Sequence, residues 1–204
     1  MEINWYLGAV AQILERLDPH PIEELVTELY RAYENDQMVF TLGNGGSAAT
    51  ASHFAQDLSK GVFKDCVHEK RLRALSLTDN VSLISAVAND DGYEHVFEAQ
   101  LRILGRPGDV VIAISGSGNS MNVIRAAEYA RSKSMCIVGV TGYDGGKLRS
   151  ISDISVHVNL NEMCTVESIH SVMCHLVVNI LREKITGTPM DTSCFRVARK
   201  VAAS

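Results

Sequence analysis

The chain has 204 residues, 46% hydrophobic and 21% charged, so it can bury a full core without disulfide or metal staples and lies outside the composition range of disordered chains. Lys and Arg number 19 against 24 Asp and Glu, a net charge of -5 that leaves no basic excess for a nucleic-acid backbone. The five cysteines, Cys66, Cys136, Cys164, Cys174 and Cys194, are odd in number, far apart and without a CxxC pair, which excludes a disulfide framework or thiolate zinc ribbon and points to a reducing compartment.

From the N-terminus, MEINWYLGAVAQILERLD carries acids, Asn and Gln where a secretory signal has a basic segment and an apolar run. No run reaches the roughly 18 apolar residues of a membrane span, so a cytoplasmic protein with no membrane partner is expected. Leu7, Val10, Ala11, Leu14 and Leu17 recur at helical spacing over 4–17, and Asp18-Pro19-His20-Pro21 stops that helix before a second amphipathic one over 22–35. Short apolar runs follow at 38–42, 72–77, 110–114, 136–140 and 154–158, most of them leading through a turn into a helical pattern. The intervening helices are predicted at 48–59, 80–88, 93–104, 120–133 and 162–186. Alternation of this kind is the signature of βαβ units, hence an α/β fold with a parallel sheet. Residues 1–186 read as one domain, and 187–204 as a tail with Pro189 and a small basic cluster, Arg196, Arg199 and Lys200, expected to be loose or docked at an interface.

Two strand-to-helix turns carry the chemistry. Gly43-Asn44-Gly45-Gly46-Ser47 follows the first strand and opens a helix, so its backbone N–H groups and the helix N-terminus suit an anion or a polarised oxygen. It fits neither GxGxxG nor a Walker A loop, and no nucleotide or flavin is expected. Ser115-Gly116-Ser117-Gly118-Asn119-Ser120 offers three hydroxyls and two glycines at a second helix start, donors for a phosphomonoester without any Arg or Lys; Ser120 also reads as the helix N-cap.

The segments GNGGSAATASHFAQDL, SLTDNVSLISAVANDDGYEHVF, GDVVIAISGSGNSMNV, VTGYDGGKL and VESIHSVMCHLV, in order along 1–186, resemble the sugar isomerase (SIS) family in its phosphoheptose isomerase branch. The resemblance implies a doubly wound, five-stranded parallel sheet between helices, a homotetramer, and interconversion of sedoheptulose 7-phosphate with an aldoheptose 7-phosphate. It implies that Asp57 stands at the position of a catalytic glutamate and His175 at that of a catalytic histidine. Glu167 falls where the family usually has glutamine, and His53 where a histidine joins these three around zinc. Asn44, Gly45, Gly46, Ser47, Ser115, Gly116, Ser117, Ser120 and Glu167 are then expected to bind substrate. Asp79 and Asn89 match positions that bind sugar hydroxyls, although Asp79 is equally placed to cap the next helix. Three departures stand out: Asp57 is one methylene shorter than glutamate, Gly116 replaces a threonine, and Cys164 replaces an aspartate.

An aldose–ketose isomerase needs a base, an acid and donors for an enediolate, and a carboxylate with a histidine suffices. His53 and Asp57, four residues apart, share a helix face, and the long C-terminal helix carries Glu167, His170, Cys174 and His175. A divalent metal, zinc foremost, is expected on His53, Asp57, Glu167 and His175. The metal-free alternative has Glu167 as a second acid/base or a sugar ligand, with Asp57 ion-paired to a protonated histidine. Competing functions are a lyase or isomerase of another sugar phosphate, and a regulatory, partner-binding member of the fold.

Overall fold

In the computed structural model, which describes residues 2–63 and 67–193, the five apolar runs become the strands of a parallel sheet. These are β1 (Met38–Gly43), β2 (Arg73–Ser76), β3 (Val110–Ser115), β4 (Cys136–Thr141) and β5 (Ile154–His157), in the order β2-β1-β3-β4-β5. Central β3 is buried along its whole length, which is why it reads as an unbroken apolar run, while β2 and β5 at the edges are four residues long. The chain leaves β1 outward to β2 and returns to β3 on the other side. Strand order therefore reverses between β1 and β3, and in open α/β sheets that crevice, outside the strands' carboxyl ends, is where ligands bind. Cys66, Cys194 and the basic residues Arg196, Arg199 and Lys200 lie outside the described residues.

Among the described residues the helices are α1 (Ile3–Glu15), α2 (His20–Glu34), α3 (Gly45–Gln56), α4 (Val81–Asp90), α5 (Glu98–Leu104), α6 (Met121–Ser132), α7 (Gly146–Ile151) and α8 (Met163–Thr186). One face of the sheet packs on α2, α3 and α8 through residues such as Leu29, Phe54, Ile169 and Val177; the other packs on α5, α6 and α7 through Leu101, Val123, Ala127 and Leu148. Helix α1 buries no residue fully and leaves Trp5 65% exposed. Helix α8, 24 residues long, is apolar and long enough to cross a membrane, but half of its apolar window is buried against the rest of the fold: it is the core helix. The Glu162 carboxylate caps it, accepting from the N–H groups of Cys164 (3.0 Å) and Thr165 (2.8 Å); the Thr165 side chain first, and then these backbone bonds, hold its carboxyl below the usual range.

Four local expectations are corrected. The helix after the first turn starts at Gly45, not residue 48, because Gly45 takes φ +53° and Asn44 supplies the cap position. The helix expected over 93–104 is broken: Gly92 at φ +103° leads into a single 3-10 turn, Tyr93–His95, before α5. Helix α7 was not expected at all; six residues long, it starts from Gly145 and Gly146, both at positive φ. Asn80, not Asp79, caps α4, its side chain accepting from the Leu83 N–H at 3.2 Å.

Candidate active site

Helices α3 and α8 lie side by side and run in the same direction, in a register that a single offset describes. Gly46 faces Glu167, so closely that a Cβ on Gly46 would meet Glu167 Oε2 at 2.3 Å. Thr50 Oγ1 lies 3.5 Å from Ser171 Oγ, and the Gly61 carbonyl accepts from Arg182 Nε (3.2 Å) and Nη2 (2.7 Å); both pairs are 121 residues apart, as are Gly46 and Glu167. The run of small residues at the start of α3, Gly45 to Ser52, is what admits so close an approach. On this register His175 falls between His53 and Asp57. The helix pair thus carries two candidate sites at different heights.

The upper site is a pocket of about 240 Å³ at the strand ends, where Asn44, Gly45, Gly46 and Ser47 meet Ser115, Gly116, Ser117 and Ser120 under Met163 and Glu167. Gly43 must be glycine, since a Cβ there would come within 2.9 Å of backbone atoms of Ser47 and Ile114. In the hydroxyl turn, Ser115 Oγ accepts from the Gly118 N–H (3.2 Å) and Ser117 Oγ from the Asn119 N–H (3.3 Å), so both O–H protons stay available. Ser120 occupies the cap position of α6 but makes no side-chain cap bond, which leaves its hydroxyl uncommitted as well. Helix α7 supports the turn from behind: the Leu148 N–H donates to Gly118 O (2.9 Å), the Lys147 N–H to Asn119 Oδ1 (3.0 Å), and a Cβ on Gly118, at φ +65°, would strike Gly145 O. Met163 lies over Gly116, its Sδ 2.4 Å from where a Cβ would be, and so fills the space of a larger side chain at that position. Among the described residues no Lys, Arg or His lines the pocket, and the Glu167 carboxylate does.

Asn44, expected as a ligand, is also a tie. Its side-chain amide exchanges two hydrogen bonds with that of Asn122 (2.9 Å each), and its Oδ1 accepts a third from the Tyr93 hydroxyl (2.9 Å). Asn122 and Tyr93, neither singled out by sequence, thereby lock the first turn to α6. The available signal was a polar residue in an apolar helical stripe: Asn122 is buried with Ala126 and Ala130 at i, i+4 and i+8.

About two turns lower, His53 Nε2 lies 3.5 Å and His175 Nε2 3.7 Å from Asp57 Oδ2, the imidazoles edge to face with centroids 5.0 Å apart. Both distances exceed a hydrogen bond. Side-chain exposure is 56% for His53, 52% for His175 and 19% for Asp57, so the carboxylate sits at the back of an open group. Asp57 begins a π-helical turn, Asp57–Gly61, whose last carbonyl is the one Arg182 holds; such bulges recur at functional sites. Behind it Cys174 is buried, its thiol pushed up to about 12 by burial and then by the Asp57 charge, which removes it as a nucleophile. One ligating atom from each of His53, Asp57 and His175 lies within 4.8 Å of the others, close enough to hold a metal ion. Glu167, expected as a fourth ligand, is not in this group: it is eight residues, about 12 Å, up the helix from His175. Asp79, accepting from Thr78 Oγ1 at 3.2 Å, and Asn89, bonded to Asp90 at 2.7 Å, are exposed and line neither site.

The SIS domain model matches residues 5–142. The chain is 37% identical over 164 residues to a phosphoheptose isomerase of Aneurinibacillus thermoaerophilus, covering 80% of this chain and 81% of the relative, and 38% identical over 173 residues to that of Helicobacter pylori, covering 85% and 88%. Among solved structures it is similar to the phosphoheptose isomerase of Neisseria gonorrhoeae (TM-score 0.80, 31% identity, 88% of this chain and 96% of that one) and to that of Francisella tularensis (TM-score 0.83, 28% identity, 89% and 96%).

Proposed function

The chain belongs to the SIS domain family, in its phosphoheptose isomerase branch, and from that membership we propose that it interconverts sedoheptulose 7-phosphate with an aldoheptose 7-phosphate through an enediol. The observation that carries the reading is the vertical separation of anchor and acid/base group on one helix pair. From Ser47 at the pocket to His53 at the lower group the rise along α3 is about 9 Å. An extended ketoheptose spans about 9 Å from its terminal phosphorus to C2, at about 1.3 Å of advance per bond. A phosphate held by the two turns therefore brings C1 and C2 to the level of His53 and His175, whose Nε2 atoms lie 3.5 and 3.7 Å from Asp57 Oδ2.

There the Asp57 carboxylate takes the proton from C1 while the His175 Nε2–H donates to the C2 oxygen, giving the enediol; return of a proton to C2 and loss of one from the C1 hydroxyl completes the aldose. Backbone N–H groups and the hydroxyls of Ser115, Ser117 and Ser120 hold the phosphate throughout. His53, Asp57 and His175 form an N/O ligand set of the kind that binds zinc with a position left open, and zinc bound there would supply polarisation of the carbonyl in place of the His175 proton. Glu167 belongs in this reading to the substrate pocket.

We also propose a homotetramer in a cytoplasmic setting. Trp5 and Leu7 on α1 and Val172, Leu176 and Ile180 on α8 are exposed apolar side chains that association would cover, and Cys136, Cys164 and Cys174 are free thiols. A monomer by light scattering at micromolar concentration would contradict the tetramer. For the activity, the test is incubation with sedoheptulose 7-phosphate: an aldose phosphate product supports it, and saturable binding without product overturns it in favour of a binding role.

A further inference from the structure

A cavity of about 480 Å³ opens at the β5 edge of the sheet, between the end of α1, the turn into α2, α7 and the middle of α8. It shares no residue with the pocket at the strand ends or with the group around Asp57. Its floor is apolar, from Ile13, Leu17, Val156 and Met173, and its polar wall carries Arg16, Arg149, Ser155 and His157. The Arg16 side chain has no hydrogen bond or ion pair among the described residues, and Arg149 has a 3.4 Å bond to the Asp144 carbonyl and no carboxylate partner. Asp18, also in the wall, already accepts from the His20 N–H at 3.0 Å. In a chain of net charge -5, two guanidiniums against the single Asp18 carboxylate leave this wall a local excess of one positive charge.

A second observation is independent of charge. Among the described residues four buried side-chain polar atoms lack a hydrogen-bond partner, and two of them, Ser155 Oγ and His157 Nε2, belong to this wall. Buried polar atoms are rarely left so. His157 Nδ1 is 3.0 Å from the Thr141 hydroxyl, a contact that occupies Nδ1 and leaves Nε2 to meet a ligand. Burial, with the nearby Arg149 charge, lowers the His157 pKa and keeps the ring neutral. The wall thus presents two guanidiniums, a hydroxyl and an unpartnered imidazole nitrogen, of which the guanidiniums and the hydroxyl are donors suited to an oxyanion. Its base is fixed in place, because α7, which carries Arg149, is tied to the hydroxyl turn through Leu148 and Lys147.

We propose that this cavity is a second binding site, for a small phosphorylated metabolite whose phosphate lies between Arg16 and Arg149 and whose carbon body rests on the apolar floor. Its volume is within the range of small-molecule sites. The inference stands apart from the isomerase reading.

Phenyl phosphate, a ring with a phosphate, is the probe, titrated into the full chain by calorimetry while the Met173 methyl is followed by NMR. The Met173 methyl shifts on saturation, and Arg16→Gln with Arg149→Gln weakens that binding about 10–100-fold. Ser117→Ala leaves it intact while affecting any binding at the hydroxyl turn. Phenol, lacking the phosphate, leaves the methyl unmoved. A Met173 methyl that stays fixed at saturating phenyl phosphate, or binding indifferent to the arginine pair, overturns the site. Should the double variant melt early, the methyl titration of the unaltered protein decides.

Discussion

The pocket at the strand ends and the group around Asp57 share two helices and are built in opposite ways. In the pocket, polar groups are held by neighbours: Asn44 by Asn122 and Tyr93, Ser115 and Ser117 by the N–H groups of their own turn, and that turn by α7. In the lower group, contacts of 3.5 and 3.7 Å are too long to lock anything, and both imidazoles are half exposed. A phosphate anchor holds a group that does not react, so it can be set by backbone geometry before the ligand arrives. An acid/base group has to change its own protonation and follow a reacting carbon, and is completed by what binds it. The difference predicts that the two regions fail in different ways when altered.

The sharpest separation is expected from Asp57→Asn. Turnover of sedoheptulose 7-phosphate should fall by about 10²–10⁴, with sugar-phosphate affinity unchanged within about twofold by calorimetry, because the loss falls on the transition state. Wild-type-like turnover would remove Asp57 as the base.

Next in size is an acid weakness on the rigid side. His170 is buried and bonds the Thr141 carbonyl through Nε2 at 3.1 Å, and Thr141 pairs with Ser115 at the start of the hydroxyl turn. Burial pulls its pKa down to about 4. A histidine depressed on folding takes up its proton more readily when unfolded, so its contribution is complete above about pH 6.5 and is lost as pH falls toward 4, about 3 kcal/mol in all. Urea midpoints measured across that window should fall with acid, and should do so less in His170→Gln. Equal slopes in the two proteins would rule out His170 as the cause.

Ser117→Ala should act on the anchor alone, weakening sugar-phosphate binding about tenfold and raising KM, with kcat and the melting temperature little changed. A fall in kcat with KM unchanged would erase the distinction between the regions. The smallest expected effect is a gain: Glu167 places a carboxylate in a pocket without a cation, so Glu167→Gln should tighten binding of a phosphate dianion about two- to fivefold at low salt, less at high salt. Weaker binding in that variant would show that Glu167 serves the ligand as an acceptor or through a metal.

The strands, both turns and the α/β class were legible because each depends on local pattern: β3 as an unbroken apolar run, the turns as glycine and serine clusters between a strand and a helix. What joins elements was not. Periodicity puts His53 and Asp57 on one face of α3 and His175 on α8, but says nothing of the 121-residue offset that brings them level. The same gap explains Glu167, grouped with the metal ligands by the family position it matches yet found two turns higher against Gly46. Helix α7 has six residues and no amphipathic stripe to announce it, and the Asn44–Asn122 tie spans 78 residues. The SIS resemblance supplied the roles of Asp57 and His175, which no spacing in this sequence alone assigns.

The most direct test is solvent exchange in deuterium oxide, with sedoheptulose 7-phosphate followed by proton and phosphorus NMR on the unaltered protein. The account predicts a phosphorus shift on binding, deuterium entering at C1 and C2 and an aldose phosphate accumulating, since proton transfer by Asp57 opens the carbon-bound hydrogens to solvent. A phosphorus shift with no deuterium at either carbon and no aldose would contradict it, leaving the anchor without the chemistry placed beneath it.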